Sequence, residues 1–127
     1  LGEAGALYWF PVDQAADGEQ YDFSKPLDAR RASMLKIYCA EAVQEGFCGY
    51  RYPAHGVEAL FAYDAQQLPY LGFWATAGGY RGDVNCALEP TNGFYDSIEL
   101  AQKNGKCGEL LPGETLEFSL QISVNPI

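Results

Sequence analysis

Toward its end the chain alternates strictly, with Leu116, Phe118, Leu120, Ile122 and Val124 interleaved with Thr115, Glu117, Ser119, Gln121 and Ser123. A period of two sends these sets to opposite faces of a β-strand, so 115–124 is expected to have one core face and one wet face. Further strand-like runs cover 6–12, 34–40, 46–52, 57–63, 70–76 and 84–88, with turn signals between them. Short strands separated by turns favour a sandwich or barrel over alternating β-α units. The segment Pro53-Ala-His-Gly56 suits a hairpin connection with His55 at its tip, and the three glycines within 77–83 permit a tight turn. One helix is expected: Asp96 caps it, Glu99 stands three residues on, and Gly105 ends it. The stretch 14–31 has no sustained period and reads as a long loop. The expected fold class is an all-β antiparallel sandwich with one short helix.

A length of 127 residues suits a single domain, 1–127, and 48% hydrophobic with 14% aromatic content supplies material for a core. Charge narrows the partners. Seventeen acidic residues against 8 basic ones give -9 at pH 7, which disfavours nucleic acid and anionic membrane surfaces and leaves neutral ligands such as sugars open. No run approaches the ~18 apolar residues needed to span a bilayer, and the first residues lack the basic start of a signal peptide. Cys39, Cys48, Cys86 and Cys107 form no CxxC pair and no ligand spacing with His55, so neither a metal nor another cofactor is expected. Three of the four fall in apolar runs, which suits buried reduced thiols and a cytoplasmic chain.

Several chemistries are excluded by what is missing. His55 is the sole histidine and no G-x-S-x-G elbow presents a serine; Gly78-Gly79 has neither the helix nor the lysine of a phosphate-binding loop. Among the carboxylates Glu89 stands out, directly after Cys86-Ala87-Leu88 and before Pro90. Proline removes the next N–H from a ladder, which places Glu89 where a strand stops. A carboxylate there either serves as a base, strengthened by desolvation, or points into water. Trp74 and Tyr80 offer flat apolar faces, and Arg81, Asp83, Asn85 and Asn92 offer hydrogen bonds to hydroxyls. The competing reading puts Trp9 and Trp74 in the core and makes Arg81 and Asp83 a surface pair.

Four motifs in order, Leu68-Pro-Tyr-Leu-Gly-Phe-Trp74, Gly78-Gly-Tyr80, Ala87-Leu-Glu-Pro90 and Leu111-Pro-Gly-Glu114, precede the final alternating stretch. Over 68–124 the chain resembles the C-terminal part of galactose mutarotase-like proteins, the aldose 1-epimerase relatives. The resemblance implies part of a larger antiparallel sandwich with a sugar site on one face. It further implies ring opening at the anomeric carbon of an aldose, with a glutamate as general base and a histidine as general acid. Glu89 matches that glutamate by position, with Trp74, Tyr80, Arg81 and Asn92 as sugar contacts. The family's acid histidine would precede Leu1, and His55 falls in none of the motifs. The chain thus resembles a C-terminal half, expected to pair with an N-terminal half or another chain. The alternative is a sandwich module that binds sugar, or only keeps the fold, without catalysis.

Overall fold

The computed structural model describes residues 6–94 and 96–127. Among these residues the protein is all-β, with eight strands in three sheets, one short helix and no closed barrel. That agrees with the sandwich class read from the sequence. The chain forms two compact units, one of residues 1–36 and 74–87, the other of residues 37–73 and 88–127.

The first unit begins with a hairpin of β1 (Val12–Gln14) and β2 (Gln20–Asp22), paired antiparallel from Val12↔Asp22 to Gln14↔Gln20. This corrects the long loop expected over 14–31. The Asp17 carboxylate accepts from the Glu19 N–H at 3.0 Å and from the Tyr21 hydroxyl at 2.9 Å, and Gly18 takes φ 81°. Asp17-Gly18 is thus turn chemistry, strong enough to close a hairpin too short to show a period. The strand expected over 6–12 is absent apart from Val12, and Trp9 is 81% exposed, which overturns its reading as core. Pro11 supplies no N–H, so the run before it is poorly equipped for a ladder. Among the described residues of this unit Ala15, Leu35, Ala75, Thr76 and Ala77 are buried.

The second unit contains an antiparallel sheet in the order β4 (Phe47–Tyr52), β5 (Val57–Tyr63) and β8 (Leu120–Pro126). Pairing runs from Phe47↔Ala62 to Tyr52↔Val57 and from Val57↔Pro126 to Tyr63↔Leu120. A short 3-10 turn, Pro53–His55, joins β4 to β5 and leaves His55 exposed, as the proline and glycine predict. Two features of β8 differ from expectation. It starts at Leu120 rather than 115, because β5 offers no residue beyond Tyr63 for an earlier start. Its apolar set is also not core: Ile122 is 59% and Val124 68% exposed. The helix α1 (Ile98–Lys103) is capped by Ser97, whose hydroxyl accepts from the Leu100 N–H at 3.3 Å, one residue later than the expected Asp96. Leu68, Phe94 and Ala101 are buried here.

The remaining sheet has the order β3 (Ser33–Tyr38), β6 (Tyr70–Ala77) and β7 (Val84–Thr91), and each of these strands begins in one unit and ends in the other. β7 continues through Glu89 and Pro90 to Thr91. Glu89 therefore lies within a strand and not at its end. Proline is tolerated because β7 is an outer strand, where an N–H turned away from β6 has no partner to lose.

Candidate functional site

The turn 78–83 between β6 and β7 carries two of the expected sugar contacts, Tyr80 and Arg81, and a third, Trp74, lies in β6 before it, all in the first unit. Its backbone closes through Gly78 N–H to Asp83 O at 2.8 Å and Asp83 N–H to Tyr80 O at 2.9 Å. The hydroxyl of Thr76, 2% exposed, accepts from the Tyr80 N–H at 3.0 Å. A Cβ on Gly79 would come within 2.6 Å of the Met34 backbone nitrogen, so only glycine lets the turn lie against β3 there. The positions of Tyr80 and Arg81 are thus fixed by backbone.

Held in this way, Tyr80 remains 46% exposed, with the Trp74 ring edge-on to it at 6.0 Å and 80°. The Arg81 guanidinium lies over the Tyr80 ring at 5.6 Å. Arg81 has φ 55°, in the left-handed region that side chains rarely occupy. That conformation costs about 1 kcal/mol, and strain of this kind gathers at ligand sites. Trp74 is half-buried, so it both packs and supports Tyr80.

Glu89 and Asn92 belong to the second unit. The Glu89 side chain is half-buried over the backbone of β6 at Gly72: its Oε2 lies 3.2 Å from where a Cβ on Gly72 would be, and Tyr38 Cε1 lies 2.9 Å from the same point. Tyr38 stacks on Phe94 at 5.1 Å and 16°, and its hydroxyl donates to Asp96 Oδ1 at 2.9 Å. Phe94 meets Tyr70 edge-on at 5.1 Å, and the Lys106 ammonium sits 5.0 Å from the Tyr70 ring centre. Asn92 is exposed, with its side-chain amide against Gly108; a Cβ there would lie 2.6 Å from Asn92 Nδ2.

Sequence reasoning missed the stack of Tyr38, Phe94 and Tyr70, whose Tyr38 ring stands beside Glu89 at Gly72. One signal for it was present: a glycine inside an apolar strand, Gly72, marks a place where something comes close to the backbone. Among the described residues no three or more His, Cys, Asp or Glu side chains gather as a metal site, and all four cysteines are free thiols. Burial, with a smaller Coulombic contribution from Cys39, pushes the Cys48 thiol up to about 11. Comparison with known proteins gave no match, whether to a protein family, a curated protein or a solved structure.

Proposed function

We propose that the protein binds a neutral saccharide at the 78–83 turn. One observation carries this reading: an exposed tyrosine, braced by a tryptophan and covered by a guanidinium, on a turn whose backbone is locked and strained at Arg81. The C–H face of a pyranose suits the Tyr80 ring, and the planar Arg81 fork offers fixed donors to its hydroxyls. A chain of charge -9 favours a neutral sugar over an anionic one. Titration of neutral mono- and oligosaccharides, followed by tryptophan fluorescence and saturation-transfer NMR, is expected to show saturable binding. Replacement of Tyr80 by Ala is expected to weaken it roughly tenfold, the equivalent of about 1.4 kcal/mol. Failure of every neutral sugar to bind, or full affinity in Tyr80→Ala, overturns the reading.

A second reading, aldose 1-epimerase chemistry, is favoured by the placement of Glu89 over Gly72 beside the Tyr38 ring. In it the Glu89 carboxylate removes the proton of the anomeric hydroxyl as the ring C–O bond breaks. A general acid protonates the ring oxygen, and closure on the other face gives the other anomer. NMR of anomer exchange distinguishes the readings. Acceleration that is lost in Glu89→Gln supports catalysis, whereas saturable binding without acceleration leaves a binding module.

A further inference from the structure

Of the four asparagines, Asn92 and Asn104 precede a glycine. With no side chain on the following residue, its backbone nitrogen can swing onto the carbonyl carbon of the asparagine side chain. The structure treats the two pairs differently. At Asn92 the reacting atoms are clamped. Gly93 N–H donates to Thr91 Oγ1 at 3.2 Å, and the same hydroxyl donates to Gly93 O at 2.9 Å. A Cβ on Gly93 would lie 2.7 Å from Lys106 O, and one on Gly108 would lie 2.7 Å from Asn92 Cγ, so the 106–108 chain packs against both the glycine and the side chain.

Asn104 stands in the open. It is the exposed C-cap of α1, and a Cβ on Gly105 would meet nothing within 4 Å. Gly105, at φ 64°, closes the helix: its N–H donates to Gln102 O at 3.0 Å, and the Lys106 N–H donates to Ala101 O at 2.8 Å. The first of these bonds joins two exposed residues at the end of a six-residue helix, where opening to water costs little. We propose that Asn104 is a site of self-modification, converted to aspartate and isoaspartate by the Gly105 backbone while Asn92 is spared. As the Gly105 N–H gives its proton to a solvent base, its nitrogen bonds to Asn104 Cγ, and the Cγ–Nδ2 bond breaks to release ammonia. Water then opens the cyclic imide. Attack at Cγ leaves aspartate, and attack at the main-chain carbonyl carbon leaves isoaspartate, with the chain routed through Cγ. The net change is one water in and one ammonia out. Both products put a carboxylate at the negative end of α1 on a chain already at -9, and isoaspartate adds a methylene to the main chain. Lys106 lies two residues on: its C=O accepts from the Phe94 N–H at 3.0 Å, and its ammonium sits 5.0 Å from the Tyr70 ring centre. Modification therefore loosens the corner that seats Phe94 between Tyr38 and Tyr70.

Ageing the full chain in warm, mildly alkaline buffer, followed by mass spectrometry of its proteolytic peptides, reads amide-to-acid conversion at each asparagine. In the native chain Asn104 is expected to convert well ahead of Asn92. In urea the two are expected to convert at similar rates, since both precede glycine and only the fold separates them. An Asn104 that stays intact in the native chain, or an Asn92 that converts as fast, overturns the proposal, and this comparison needs no variant. The consequence is read by melting. Aged protein separated from the parent by anion exchange is expected to melt lower, whereas Asn104→Gln, whose longer side chain would need a larger ring, is expected to melt unchanged after the same ageing. An aged chain carrying acid at 104 that melts with the fresh parent overturns the loosening of the Phe94 corner.

Discussion

At the scale of single residues, Arg81 sets stability against function. Its φ of 55° would suit glycine, so Arg81→Gly is expected to raise stability by about 0.5–1 kcal/mol in urea unfolding while weakening saccharide binding. Ala32, also left-handed at φ 44°, supplies the control. Ala32→Gly should bring a similar gain and leave binding unchanged. A stabilised Arg81→Gly with full affinity would show the strain to be unrelated to the ligand. Gly72 gives the opposite sign: Gly72→Ala sets a methyl 2.9 Å from Tyr38 Cε1 and 3.2 Å from Glu89 Oε2, and is expected to cost about 1–3 kcal/mol.

Acid stability also belongs to residues. The side-chain bond from Lys25 holds Asp22 at about 2, and that from Arg30 holds Asp28 at about 2, both below the ordinary 3.8. A carboxyl lowered in the folded chain contributes stability that is present above its unfolded value and lost as pH falls through the folded one. Loss is therefore expected between about pH 4 and pH 2. The Cys48 thiol, raised to about 11 from 9.0 chiefly by burial, works in reverse: its contribution is complete below pH 9 and lost as pH rises toward 11. Thermal unfolding across pH should show both flanks, and Cys48→Ala should flatten the alkaline one.

At the scale of elements, the comparison of sequence with structure turns on what a partner decides. β5 was legible to the residue, 57–63, because it is central in its sheet and punctuated at both ends. β8 was legible in its period but not in its length or its wet side. A period of two separates faces without saying which one is covered, and the length of β5 sets where pairing starts. The hairpin of β1 and β2 was hidden because three-residue strands are too short for any period. Glu89 was singled out for a strand end that does not exist, yet its closeness to Gly72 gives it a defined setting. The helix was misread by one position at its cap, since Asp96 and Ser97 are both good caps and Asp96 is taken by the Tyr38 hydroxyl. Ser97→Ala is accordingly expected to cost about 1 kcal/mol, measured by urea unfolding; a neutral result would return the cap to Asp96.

At the scale of the whole molecule, charge sets the response to salt. A chain of charge -9 repels itself, and salt screens that repulsion while leaving apolar burial in place. Thermal stability is therefore expected to rise from low to moderate salt, and melting at two ionic strengths reads the sign. No helix among the described residues is long and apolar enough to cross a membrane.

Each compact unit is assembled from two separated stretches, 1–36 with 74–87 and 37–73 with 88–127. A single trypsin cut after the exposed Arg81 would thus leave two fragments that each hold part of both units, and neither could be excised as an independent folding piece. Such a nicked protein should stay together in native buffer and come apart only in denaturant, and a sugar seated on Tyr80 should slow the nick itself.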